Sequence, residues 1–195
     1  MKMSNMLKKP FEVVLLGRSG CGKGEQVKRL TKKLKNTLVI HTGDRLRSLA
    51  LQKTMTGKRI RGVLARGELV PGWLASYTWL DTLIRELGDS KHILFDGTPR
   101  QTSEAEYLDE VLHWYGRKNL FVLYIDVSEK EVTRRLLLRG RGDDHKDAIK
   151  RRLAFFSKQV LPAVKYYQKT NRLIRINGEQ PIEKVFKDVQ KALGV

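Results

Sequence analysis

The chain of 195 residues is poor in cysteine, proline and acid. Its one cysteine, Cys21, excludes an internal disulfide, and no Cys/His cluster has the spacing of a structural zinc site. A protein of a reducing compartment is expected. No apolar run approaches bilayer-spanning length, and the basic segment 1–10 lacks the apolar stretch of a signal peptide. The expectation is therefore a cytoplasmic protein with no membrane partner. Internal repeats, low-complexity tracts and flexible linkers are also absent. Acidic residues number 21 against 39 Lys and Arg, leaving a net charge of +18. That balance suits anionic substrates, with nucleic acid attracted only through non-specific charge. Aromatic residues interleaved with basic ones, as RNA readers use, are missing. Lys28, Lys32, Lys33 and Lys35 fall along one helical pattern and read as a solvated face.

What is present begins with Val13-Val14-Leu15-Leu16, a short apolar run followed by Gly17-Arg18-Ser19-Gly20-Cys21-Gly22-Lys23-Gly24 and then a helical pattern. Glycines let the backbone turn tightly enough to aim several N–H groups into one hollow. The helix start adds its positive end and Lys23 a mobile cation. The segment reads as a polyphosphate cradle, with Gly17, Gly20, Cys21, Gly22, Lys23, Gly24 and Glu25 around it. Cys21 reads as a small residue fitting a tight turn.

Strand-like runs recur at 11–16, 38–41, 92–96, 120–126 and 173–177, and helical patterns fill 23–35, 43–52, 57–66, 73–87, 102–115, 129–139, 145–169 and 181–193. Apolar strands alternating with helices predict an α/β fold with a central parallel five-stranded sheet covered on both faces, in a single domain over 1–195. Pro162 should end one helix and start another. The stretch between the second and third strands is too long for one crossover helix. It predicts a small helical insertion over about 42–71, near the carboxyl ends of the strands.

Five blocks in this order, Gly17–Gln26, Thr42–Arg47, Gly67–Pro71, Asp96–Arg100 and Arg139–Arg152, resemble the adenylate kinases and related nucleoside-monophosphate kinases along nearly the whole chain. The resemblance implies a phosphate-loop fold and magnesium-dependent phosphoryl transfer from ATP to a nucleoside monophosphate, AMP first among them, by a monomer. It makes 42–71 the monophosphate-binding insertion and 139–144 a very short lid. Arginine forks meet phosphate oxygens in pairs. The resemblance gives Arg47 and Arg100 to the acceptor phosphate, and Arg139, Arg141 and Arg152, with Lys23, to the transferring group. Arg135, four residues before Arg139 on the same helix face, would lie against the donor adenine. Asp96 would hold the water shell of magnesium. Thr42, Val70, Gly97 and Glu104 would complete the monophosphate site, Thr42 having a helix N-cap as its other reading. Asp143 and Asp144 could tether the lid arginines or cap the next helix.

Three departures from the family pattern carry their own expectations. Glu25 replaces a threonine whose hydroxyl would meet a donor phosphate. Its charge turns outward, binds magnesium or weakens ATP binding, and the first is favoured. Thr98 replaces a phenylalanine, loosening the packing unless a neighbouring aromatic fills the space. Glu104 replaces a glutamine that would face the acceptor base. A carboxylate only accepts, which suits the paired donors of guanine and raises GMP beside AMP. An exposed glutamate on an amphipathic helix is its other reading, and Gln101 could supply the missing amide. A pyrimidine-monophosphate kinase, or a nucleotide- or RNA-binding protein with little turnover, completes the alternatives.

Overall fold

The computed structural model describes residues 9–141 and 144–195. Five strands, β1 (Glu12–Leu16), β2 (Thr37–His41), β3 (His92–Asp96), β4 (Leu120–Asp126) and β5 (Leu173–Asn177), form one all-parallel sheet in the order β2-β3-β1-β4-β5. The helices are α1 (Lys23–Lys33), α2 (Thr42–Leu51), α3 (Met55–Ala65), α4 (Gly72–Glu86), α5 (Thr102–Trp114), α6 (Glu129–Arg139), α7 (Lys146–Phe155), α8 (Leu161–Lys169) and α9 (Ile182–Leu193). Among them, no helix of the described residues is long and apolar enough to cross a membrane. Three strands have the predicted bounds, and the other two start one residue away from them.

The period-two alternation of β1 sorts the core. Val14 and Leu16 face one layer with Trp79, Leu83, Leu108 and Val164, from α4, α5 and α8. Val13 and Leu15 face the other with Val27, Leu30, Val132 and Val189, from α1, α6 and α9. With both faces covered, β1 is buried along its whole length, and its carboxyl end meets the place where the chain crosses from β3 to β4. Open α/β sheets bind ligands at such a switch point. The α2–α3 pair builds a third, separate cluster, in which Leu46, Ala50, Ile60 and Val70 meet Leu74 and Ala75 of α4. The helical stretch between β2 and β3 is thus a small lobe with its own core.

As expected, one α-helix ends before Pro162 and another starts beside it, but the chain does not leave the helical path between them. The chain stays helical from Lys146 to Lys169, passing through a π-helical turn at Phe156–Val160, and Pro162 sits in the first turn of α8. A proline ring collides with the carbonyl four residues back in a regular helix. The wider π turn directly before it relieves that collision and keeps the axis going.

Glu12 is an exception in the buried strand. It is 0% exposed, its carboxylate oxygens have no hydrogen-bond partner among the described residues, and Arg117 stands 3.6 Å away. Burial pushes its pKa up from 4.5 to about 7, against the opposing pull of Arg117. A group with a raised folded pKa stabilises below its unfolded pKa and loses that contribution as pH rises through the folded one. Urea titrations should therefore show stability falling between pH 5 and pH 8 by on the order of 2 kcal/mol more in the parent than in Glu12→Gln. Parallel pH profiles for the two proteins would contradict this account.

Candidate functional site

The loop after β1 starts at the carboxyl end of the sheet and leads into α1. Gly17, Gly20 and Gly22 adopt φ of 145°, 83° and 103°, which side chains rarely adopt. Space demands glycine as well at the first two: a Cβ on Gly17 would lie 2.6 Å from Ile125 O, and one on Gly20 would lie 2.8 Å from Leu136 Cγ. Lys23 opens α1 and folds back on its own loop, where Nζ donates to Gly17 O (2.8 Å) and Arg18 O (3.1 Å). Arg18, which sequence reasoning passed over, straps the loop to its surroundings. Its guanidinium donates to Val127 O at 3.1 Å and lies 4.8 Å above the Phe156 ring, at the π turn.

A cleft of about 650 Å³ opens between this loop, the end of β3, the α2–α3 lobe and the α6–α7 connection. Lys23, Arg47, Arg100, Arg135, Arg139, Arg141 and Arg152 all line it, as do Gly17, Gly20, Gly22, Gly24, Glu25, Asp96 and Gly97. Asp96 closes β3 and accepts from His41 Nδ1 at 3.2 Å. Burial pushes the Asp96 pKa up, but the His41 hydrogen bond and the charges of Lys23, His41 and Arg100 outweigh it, so the carboxyl stays below its usual range. The same bond raises the His41 pKa. His41 lines the cleft too and went unnoticed in the sequence, where nothing marks it except its place at the end of a strand.

The arginines are already engaged inside the protein. Arg47 pairs with Asp44, Arg100 donates to Gly97 O at 2.7 Å, and Arg135 donates to Glu131 (2.7 Å) and Gly178 O (3.0 Å). Asp144 is the hub of the lid. Its buried carboxylate takes both arms of Arg139 at 2.8 Å, Arg152 at 3.0 Å and the backbone N–H of Arg141 at 3.1 Å. Of its two sequence readings, tethering is the one these bonds display, since His145 is the N-cap of α7. Asp143, the other acid of that reading, and Gly142 of the lid lie outside the described residues.

Glu25 accepts from Arg29 at 2.8 Å, and Arg29 reaches on to Glu183 at 2.8 Å. Its charge is thus neutralised on the side away from the loop, although the residue borders the cleft.

Four sequence-predicted residues are absent from the cleft wall. Cys21 is 2% exposed and packs beneath the loop. Val70 belongs to the core of the α2–α3 lobe. Thr42 is 0% exposed, and it is not an N-cap either, because that position falls to His41. Glu104 is 4% exposed, with Trp79 Nε1 (3.2 Å), Thr98 Oγ1 (3.2 Å) and Arg100 N (2.6 Å) all donating to its carboxylate. It is neither the exposed helix glutamate nor a free acceptor facing the cleft. Gln101 is also occupied, donating to Gln159 at 2.7 Å. Trp79 and Thr98 meet through Glu104 Oε1, to which both donate.

A strand–loop–helix cradle facing a ring of guanidinium groups over one carboxylate defines a phosphate-loop protein equipped to handle several phosphates at once. Comparison with known proteins names the class. The adenylate kinase family model matches residues 15–172. Adenylate kinase from Thermus thermophilus is 36% identical over 187 residues, covering 94% of this chain and 97% of that protein. Adenylate kinase 1 from Synechocystis sp. is 35% identical over 182 residues, covering 92% and 95%. UMP-CMP kinase 1 from Oryza sativa subsp. japonica is 35% identical over 185 residues, covering 94% and 74%. The chain belongs to the adenylate kinase family and is a nucleoside-monophosphate kinase.

Removing the hub carboxylate should expose the repulsion that it masks. Asp144→Asn is expected to lose about 3 kcal/mol of stability at low ionic strength, because it leaves partly buried cations without their counter-charge. High salt should restore part of the loss. A urea midpoint unchanged at low salt would mean that the arginines are held by other groups.

Proposed function

We propose that the protein transfers the γ-phosphoryl group of ATP to AMP, giving two ADP, and that it does so in the cytoplasm as a monomer. The convergence of Lys23 and six arginines on one cleft, opposite the phosphate loop, carries this reading. In the transfer, an oxygen of the acceptor phosphate forms a bond to the γ-phosphorus while the bond to the β–γ bridging oxygen breaks, and ADP leaves. The acceptor phosphate is already anionic, so no side-chain base is required. Catalysis then consists of alignment and charge stabilisation.

In this reading the loop glycines and Lys23 cradle the donor phosphates, and Arg135 flanks the donor base. Arg47 and Arg100, the first on the α2–α3 lobe, clamp the acceptor phosphate. Arg139 and Arg141 from the lid, and Arg152 from α7, close over the transferring group. Arg47, Arg100, Arg139 and Arg152 would exchange an internal carboxylate or carbonyl for phosphate oxygens, so these forks are aimed before substrate arrives.

The residues present also suit magnesium carried in with ATP. Asp96 is ionised, sits at the mouth of the loop, and would lie 3.6 Å from a Cβ on Gly24. No group of three or more His, Cys, Asp or Glu among the described residues could hold a metal on its own, so phosphate oxygens and water would supply the other ligands. When bound, the ion neutralises phosphate charge. The chain's own share is the single Asp96 carboxylate, fixed by His41.

The preference for AMP is supported by the adenylate kinase relatives. The argument for GMP loses its footing, because the Glu104 carboxylate on which it rested is committed inside the protein. Diphosphate formation from ATP and magnesium with AMP, GMP, CMP and UMP in turn is expected to be fastest with AMP. Preference for another monophosphate would reassign the acceptor, and silence with all four would leave a nucleotide-binding protein. Lys23→Ala should lower kcat/KM by at least about 100-fold, the scale of one lost charge at the transferring group. Near-parental turnover would remove Lys23 from the chemistry.

A further inference from the structure

Glu104 is the residue whose position in the structure departs furthest from what its place in the sequence suggests. Three donors from different parts of the chain converge on its carboxylate. Arg100 N–H reaches Oε2 at 2.6 Å, while Thr98 Oγ1 and Trp79 Nε1 both reach Oε1 at 3.2 Å. Thr98 Oγ1 is also 2.7 Å from Thr42 Oγ1. Thr98 has a single hydroxyl proton, and Glu104 takes it, so Thr42 must be the donor in that second bond. With the Glu104 carboxylate ionised, the proton order runs from Thr42 to Thr98 to Glu104. This polar ladder ties the start of α2, the loop after β3, α5 and α4 together. Thr42, Trp79 and Thr98 are each 0% exposed and Glu104 is 4% exposed, so none of its groups is left over for a ligand.

The ladder ends on a residue that does face the cleft. Arg100 is held at two points, its backbone N–H by Glu104 and its Nε by Gly97 O at 2.7 Å. Gly97, with φ of 86°, makes the turn that brings these groups together, and a Cβ there would lie 3.3 Å from Arg100 Nη2. A buried carboxylate accepting a backbone N–H is a strong and directional clamp. It acts on the segment that presents the Arg100 fork, from behind the cleft wall.

We infer that Glu104 is a positioning residue: it fixes the Gly97–Arg100 turn from behind and so sets how well the acceptor phosphate is held, whatever base that acceptor carries. The inference rests on the phosphotransferase reading for the identity of the acceptor. A base-reading residue and a turn clamp predict different patterns. Loss of the first changes the ratio between acceptors, because a site built to pair with one base edge penalises the others. Loss of the second weakens all acceptors alike and spares the donor.

Glu104→Gln keeps the shape but offers one acceptor oxygen, so at least one of the three donors loses a full partner. Calorimetry and steady-state kinetics on the full chain would compare parent and variant with AMP, GMP, CMP and UMP, and with ATP. The expected result is an affinity about tenfold weaker and a KM about tenfold higher for every monophosphate that the parent binds. Their ratios should stay within about threefold and the KM for ATP within about twofold, the spread of independent sites. Emission from Trp79, the one fully buried tryptophan, should shift in the variant. Trp79→Phe, which removes one donor and leaves the Arg100 bond intact, should give a smaller loss with the same indifference to base.

A change of more than about tenfold in the AMP-to-GMP ratio in either variant would overturn the inference and return Glu104 to base recognition. Unchanged monophosphate constants, or equal losses for ATP and monophosphate, would overturn it too, leaving an inert or merely structural acid. So would a parent that binds no monophosphate. A parent that binds monophosphates but forms no diphosphate would sink the phosphotransferase reading alone, because the affinity comparison still decides the role of Glu104.

Discussion

Crowding of like charge is the constraint around which this molecule is arranged. Seven cationic side chains face a cleft of about 650 Å³. At the effective dielectric near a protein surface, two such charges about 6 Å apart repel by about 3 kcal/mol. The fold contains this repulsion locally. Lys23 rests on its own loop carbonyls, Arg47 on Asp44, Arg100 on Gly97 O, Arg135 on Glu131, and Arg139 and Arg152 share Asp144. These acceptors offset the positive charges from within the protein. The cost of gathering the charges is met during folding, and the forks are already aimed.

The same economy governs acids elsewhere. Glu25 borders the phosphate cradle, yet Arg29 and Glu183 draw it into a chain of alternating charge on the outer side of α1. Glu104 is buried but receives three donors, whereas Glu12 is buried with Arg117 no nearer than 3.6 Å. That difference in partners separates an acid that organises a turn from one that the scaffold merely tolerates.

The fold was largely legible because its signals are local. The apolar run Val13–Leu16 marked β1 as a buried strand, and the runs at 92–96, 120–126 and 173–177 matched β3, β4 and β5 to the residue. The π turn before Pro162 escaped notice because it answers a steric clash between turns, which no periodicity records. Of the site, the loop glycines, Lys23, Asp96 and the arginines were legible as residue types at the ends of elements, and the cleft gathers them. Arg18, His41 and the ring of Phe156 were not, because only the crossing of β1, β2, β4 and the π turn makes them neighbours.

By itself the sequence determined which groups the protein possesses and on which elements they ride: a glycine-framed strand-to-helix turn, a lysine at its exit, arginines at helix ends and an acid closing β3. Backbone preference and hydrophobic period act within a few residues, so they can be read along the chain. Which way each side chain points was decided only by tertiary structure. Thr42, Val70 and Glu104 stood in the right blocks for the cleft, and all three turned inward, where Thr98, the core of the α2–α3 lobe and Trp79 are their respective partners. A hydrogen bond forms between atoms that the fold brings within about 3 Å, and that proximity belongs to no single stretch of sequence.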